Sequence, residues 1–299
     1  MNILIVGNGF DLSHYLPTKY EHFIRAMETI EKWNEEDGDM GFDDIFGALY
    51  EKEGYFFSYT KAMYLTDDII LSVQKIKKLK KQLGENIWYS YFSHHLTEID
   101  TWIDFEMEFS QALDVVAEFI SDVEKRYKKN DYVSKSVVSL YYEFDAAGYI
   151  KIGDSICEKL VLLKILERKA LNEESPVAEI RKKYFRNENY NLDINSKLII
   201  EDLEKSLNSF IGLFDNYLVS VVDELRPIFE LNDNVLKVPF DDLKIFSFNY
   251  TNTIKNLYFE KPKIDFLHGK INNSNKLVLG VSDIKNDFLR KFNNYSFTK

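Results

Sequence analysis

The first eleven residues restrict the fold more than any other stretch. Asn2-Ile-Leu-Ile-Val6 is a short apolar run rich in β-branched side chains, and it stops at Gly7-Asn8-Gly9. That pattern predicts a buried strand of an α/β sheet ended by a turn. Such a strand needs partners, and none follows nearby. The next strand candidates are Lys244-Ile-Phe-Ser-Phe248, Lys263-Ile-Asp-Phe-Leu267 and Lys276-Leu-Val-Leu-Gly-Val281. The segment from Asn249 to Tyr258 between the first two suits one or two helical turns, which gives a βαβ rhythm. The predicted sheet is therefore parallel and Rossmann-like, built from both chain ends. Residues 1–30 and 231–299 form this core, and 31–230 form a large helical insertion.

Residues 20–230 read as almost wholly helical. Thr18 and Glu21 make a capping-box pattern ahead of Phe23, Ile24, Met27 and Ile30. Asn34 to Asp44 reads as an acidic surface loop. The lysines between Lys75 and Lys81 read as the solvated face of a helix. Trp102, Phe105, Phe109, Leu113, Val116, Ile120, Val123 and Tyr127 mark one stripe of a long helix. Asp154, as a cap, opens another helix through Ile156, Leu160, Leu163 and Leu166. Leu203, Leu207, Phe210, Phe214, Leu218, Val221 and Leu225 mark a third, ended by Pro227.

Composition narrows the function. A formal net charge of -11 argues against a protein whose main task is holding duplex nucleic acid. The single cysteine, Cys157, excludes a disulfide framework and a zinc site built from several thiolates of this chain. No signal-type segment or membrane-length apolar run is present, so the expected location is the cytoplasm, with no membrane partner. His94 and His95 are adjacent rather than four apart, so no metal pair is expected from them.

In open α/β sheets ligands bind outside the carboxyl ends of the strands. Three segments are predicted to meet there: Gly7 to Asp11, Asn249 after one strand, and His268 with Gly269 after the next. The glycine turn reads equally as a ligand loop or as a plain strand-to-helix turn, because Leu12 interrupts the Gly-x-Gly-x-x-Gly fingerprint. Asp11 beside a pyrophosphate would be repulsive unless it met a ribose hydroxyl. Asn249 can equally cap the following turn. Imidazole suits proton transfer near neutral pH, and an amide both donates and accepts. His14, His22, His94 and His95 lack comparable context.

Several stretches resemble the abortive-infection AbiH family of phage-defence proteins. They are Ile3 through Tyr20, Phe248-Asn-Tyr-Thr-Asn-Thr253, Leu267-His-Gly269, Leu277-Val-Leu-Gly280 and Trp102-Ile-Asp-Phe-Glu106. The same pieces are more distantly similar to the sirtuin-like fold of bacterial defence NAD hydrolases. Gly7, Gly9, Leu16, Pro17, Asn249, His268 and Gly269 fill that fold's motif positions. The resemblance implies Asn249 and His268 as the catalytic pair, and NAD as the substrate. It implies that Gly7, Asn8, Gly9, Phe10, Asp11, Thr251, Asn252 and Gly269 bind that dinucleotide, with no metal. It also implies a phage protein as trigger and a homo-oligomer as an assembled form. Asn8, Asp11, Tyr15 and Thr251 depart from the usual alanine, serine, glycine and aspartate. The Thr251 departure motivates a second reading, a catalytically silent sensor of NAD or ADP-ribose. Asp104 and Glu106 motivate a third, a metal-dependent nuclease-type toxin.

Overall fold

The computed structural model describes residues 2–95, 99, 101–128, 137–139, 150–151, 153–170, 176–188, 191–228, 243–258, 263–271, 277–280, 286–291 and 297. The chain begins with β1 (Asn2–Val6), α1 (Asn8–Ser13), α2 (Tyr20–Lys32), β2 (Met40–Gly41), α3 (Phe42–Phe46), α4 (Tyr50–Met63), β3 (Ile70–Leu71) and α5 (Val73–Glu85). Next come α6 (Ile87–His94), α7 (Trp102–Lys128), β4 (Val137–Ser139), β5 (Ile150–Lys151), α8 (Asp154–Leu162), β6 (Leu166–Ala170), β7 (Pro176–Ile180), β8 (Phe185–Glu188), β9 (Asn191–Ile194) and α9 (Ser196–Tyr217). The last are β10 (Leu243–Ser247), α10 (Thr253–Leu257), β11 (Ile264–Phe266) and α11 (Asp287–Arg290). Contacts divide the chain into two compact units. One comprises Met1–Glu85, Leu96–Phe105 and Ser209–Leu279, the other Asn86–His95, Glu106–Asn208 and Gly280–Lys299.

The first unit holds a three-stranded parallel sheet in the order β1-β10-β11. Asn2 pairs with Leu243 and Val6 with Ser247, while Ser247 pairs with Phe266. The opening strand thus takes its partner from the far end of the chain, as its isolation requires. Side chains alternate across the pleat. Leu4, Val6, Leu243, Ile245 and Ile264 pack with Phe10 and Ile254 on one face. Ile3 and Ile5, on the other, are exposed. The third strand candidate does not form over its described residues, 277–280. That backbone is recruited instead by the turn after β11, with Val278 N donating to His268 O at 3.0 Å.

Around this sheet the unit is helical and aromatic. Phe23 of α2 meets Phe210, Phe214 and Tyr217 at ring-centroid distances of 5.5, 5.1 and 5.5 Å. Trp102 lies 4.8 Å from Phe214. Helix α5 buries Ile76, Leu79 and Leu83 and exposes Lys77, Lys78 and Lys81 as the spacing predicts, whereas Lys75 and Lys80 are half-buried, bonded to Ser220 Oγ and to Trp33 O. Two expectations fail here. The start of α2 carries no side-chain cap: Lys19, not Thr18, holds the N-cap place, no helix N–H donates to the Thr18 hydroxyl, and that hydroxyl donates to Asn8 Oδ1 at 2.7 Å. Asn34 to Asp44 is not wholly a surface loop, since Met40 and Phe42 are buried at β2 and α3.

In the second unit Trp88 packs on Phe92 and Phe109, at 5.6 and 4.5 Å. Ser206 Oγ accepts from the Ile87 backbone N at 2.8 Å, and the Asn86 side chain caps α6. Residues expected to be helical here form a sheet ordered β5-β4-β7-β6 and a hairpin, β8-β9. The reason is local. Leu160, Leu163 and Leu166 fall at helical spacing, yet α8 stops at Leu162 because Lys164 turns left-handed, φ +55°. Ile165 N reaches back to Leu160 O and Lys164 N to Val161 O, both at 2.9 Å. That is a helix-ending motif which usually announces itself by a glycine. Gly153, not Asp154, is the N-cap of α8. Helix α9 gives way to a π-helical turn over Leu218–Val222 ahead of Pro227.

Candidate functional site

The carboxyl ends of β1, β10 and β11 lie side by side, so Gly7, Asn249 and His268 follow three adjacent strands. Asn249 is buried, and its Nδ2 donates to Gly7 O at 3.0 Å. It is therefore not a helix cap: Asn252 holds that place before α10, without a side-chain bond to it. Gly269 has φ +85°, the left-handed region that glycine enters freely, so the turn after His268 needs its glycine as expected. The His268 ring is half-buried, with the Phe248 and Tyr250 rings at 5.3 and 6.3 Å. Tyr250 ties the turn down. Its carbonyl accepts from Ile271 N at 3.0 Å, and its hydroxyl donates to Val278 O at 3.1 Å.

The first glycine turn differs from its sequence reading. Gly7 is extended, φ −138° and ψ −174°, and α1 starts at Asn8 without an intervening loop. Backbone freedom is thus not what Gly7 supplies. A Cβ at Gly7 or Gly9 would meet nothing within 4 Å. Both positions are bare backbone facing open space, and nothing in the described fold requires them to be bare. Phe10 is half-buried, packed against the sheet core and 4.6 Å from the His14 ring.

Asp11 is the largest departure. It is 1 % exposed, so it lies beneath the rim and does not line an open cleft. Its Oδ2 accepts from Thr251 Oγ1 at 2.7 Å, and Thr251 Oγ1 lies 2.9 Å from Thr253 Oγ1. Its Oδ1 has no hydrogen-bond partner among the described residues. Burial pushes the carboxyl pKa from 3.8 up to about 6, against the opposing pull of the Thr253, Thr251 and Asn249 side chains. Asn252 braces the same loop by donating to Asp223 Oδ1 at 3.3 Å.

Sequence reasoning missed His14, Tyr258 and Tyr64. His14 Nδ1 lies 2.7 Å from Phe10 O, and a carbonyl only accepts, so Nδ1 carries the proton. Nε2 is left to accept from the Tyr258 hydroxyl, a contact joining α1 to the segment after β10. Tyr64 donates to His14 O at 2.9 Å, and burial followed by the Asp11 charge raises its phenol pKa. Nothing in the spacing of these residues marks them, because they lie far apart in sequence and meet only in the folded chain.

A cavity of about 10 Å³ lies beside Thr251 to Thr253, against Leu16, Tyr64 and Asp223. It is the size of one water and too small to enclose a nucleotide. An open groove of about 600 Å³ runs elsewhere, past Arg25, Glu28, Lys32, Trp33 and Lys52. Asp104 Oδ2 accepts from the backbone N and the hydroxyl of Thr101, both at 2.8 Å, a local bond at the start of α7. Among the described residues, no group of three or more His, Cys, Asp or Glu side chains is placed to hold a metal.

With this rim in place, the class of the protein follows from its family. Residues 3–298 match the family described as bacteriophage abortive infection AbiH. The chain belongs to that family, and its broad role is anti-phage defence by abortive infection. No curated protein and no solved structure matches it significantly. Among the described residues, no helix is long and apolar enough to cross a membrane.

Proposed function

We propose that the protein hydrolyses NAD to nicotinamide and ADP-ribose at the carboxyl rim of the parallel sheet. The observation that carries this reading is the adjacency of three strand ends, bringing bare backbone at Gly7 and Gly9, the Asn249 amide and the His268 imidazole to one edge. Two glycines that the fold does not need are understandable where a ligand lies against the main chain.

The chemistry asks for little more. Breaking the nicotinamide–ribose bond develops positive charge on the ribose, as in other glycosyl cleavages. Nicotinamide leaves neutral with the bonding electron pair, so no strong general acid is needed. A water adds to the ribose carbon and gives its proton to His268 as general base. Asn249 acts by position: one of its amide protons is committed to Gly7 O, and its oxygen is the group for a ribose hydroxyl. Asp11 and Thr251 are both departures from the sirtuin-like pattern, and here they bond to each other. Asp11 therefore works as a positioning residue through Thr251. In this reading residues 1–30 and 231–299 supply the nucleotide core, and 31–230 serve regulation, assembly or phage sensing in the cytoplasm.

The test is incubation of purified protein with NAD, with and without phage-infected extract, following nicotinamide. Release that disappears in His268→Ala supports hydrolysis. Absence of release in both states, with wild type and variant alike, rejects it. The commitment of the Thr251 hydroxyl to Asp11 favours one second reading, an NAD or ADP-ribose sensor without turnover. Calorimetric binding without product would mark that outcome.

A further inference from the structure

Helix α1 ends in an unusual way. Leu16 N reaches back to Asp11 O at 3.1 Å and Tyr15 N to Leu12 O at 3.0 Å, a closure that demands a left-handed residue at position 15. Tyr15 takes it, with φ +55°, where glycine is the unstrained choice. Helix α4 and the residue that follows it hold the strained turn in place. Thr60 Oγ1 donates to Tyr15 O at 2.8 Å, and Tyr64 Oη to His14 O at 2.9 Å.

The side chain kept at this cost is part of an open aromatic step. The Tyr15 ring lies nearly parallel to Tyr59, at 4.7 Å and 18°, and Tyr55 leans on Tyr59 at 4.6 Å. Tyr55 is 69 % and Tyr59 41 % exposed. Phe56 backs the step from within, 5.7 Å from Tyr15. The rings around Phe23 are justified by burial; these are not. Tyr15 is half-buried and supports Tyr59 from one side, while the exposed rings of Tyr55 and Tyr59 offer the aromatic surface that base stacking uses.

We propose that Tyr15, Tyr55 and Tyr59 form a stacking subsite for the adenine of an adenine nucleotide. The proposal rests on the reading of the rim as an NAD site and deepens it. Tyr15 follows Gly9 by six positions, about 9 Å at a rise of about 1.5 Å per residue, a span a ribose and its phosphates can bridge. The formal net charge of -11 favours a single nucleotide over a polynucleotide as the occupant.

Calorimetry with AMP and with ribose 5-phosphate tests the subsite without requiring turnover. Tyr55→Ala and Tyr59→Ala should weaken AMP at least about tenfold, within the range of base–aromatic stacking, and leave ribose 5-phosphate unchanged. Tyr59→Phe should bind AMP as wild type does, because the ring and not the hydroxyl stacks. AMP bound equally by both alanine variants, or not bound by wild type, overturns the proposal. Nicotinamide release from the same proteins separates the two readings. Tyrosine-dependent AMP binding without release leaves the subsite standing and removes hydrolysis. Release with unchanged KM in the alanine variants does the reverse.

Discussion

The aromatic core around α2 and the rim at the end of β1 belong to the same compact unit, yet they are built on different terms. In the core, Phe23, Phe210 and Phe214 are buried against one another, and the polar tips find acceptors. Trp102 Nε1 donates to Thr18 O at 3.1 Å, and Tyr217 Oη to Pro17 O at 2.6 Å. At the rim a carboxyl is buried with one oxygen unpaired among the described residues, a Cβ at either glycine would meet no described atom within 4 Å, and a tyrosine is bent into a glycine's conformation. The core's one comparable cost is His22 of α2, buried against Phe56 and Phe57 with Nδ1 unpaired among the described residues. The rim holds costs that folding alone does not explain, and such costs gather where a protein acts.

The contrast predicts effects of opposite sign. The largest is in the core: Phe23→Ala should lose about 3–5 kcal/mol, through transfer and cavity terms. Its melting temperature should then fall by on the order of 10 °C. A loss under about 1 kcal/mol in urea unfolding would show that the core collapses to fill the gap, and the contrast would weaken.

Asp11→Asn should move stability the other way. Because the Asp11 pKa rises from 3.8 to about 6 on folding, the folded protein holds the proton more tightly than the unfolded chain between those values. The group's contribution is intact below about pH 3.8 and is lost as pH rises through about 6. The loss amounts to roughly 3 kcal/mol. Removing the ionisation should therefore stabilise the protein by a similar order at about pH 7.5 and make little difference near pH 4. Urea midpoints at the two pH values measure this, and a variant no more stable at the higher pH would show that the buried carboxyl is no burden.

The smallest effect sharpens the comparison most. Gly9→Ala adds a methyl where nothing lies within 4 Å, inside a helix that disfavours glycine. Stability should stay level or rise by up to about 1 kcal/mol, while calorimetric NAD binding weakens. Destabilisation instead would mean that the bare backbone serves the fold.

Much of the scaffold was legible in the order of residues. The apolar run from Asn2 to Val6 had no local partner, so the pairing with β10 followed, and Gly269 followed from the turn after β11. Helix α7 followed from its stripe of apolar residues. The strands between β6 and β9 were hidden, because leucines at helical spacing ran up to a helix end that lacks a glycine. The site was legible only in outline. Gly7, Asn249 and His268 could be sent to one edge, but a carboxylate in a turn reads as exposed, and Asp11 is not. No spacing rule pairs His14 with Tyr258.

Sequence alone determined that a strand opens the chain, that its partners lie near the other end, and which edge the glycines, the amide and the imidazole would share. Periodicity and turn chemistry act between near neighbours, and an unpaired strand forces a distant match. Only the tertiary structure decided which polar groups are shut away from water and which rings stay open to it. Burial is a property of what packs on a residue from elsewhere in the chain, and the desolvation of Asp11 and the exposure of Tyr55 both come from that.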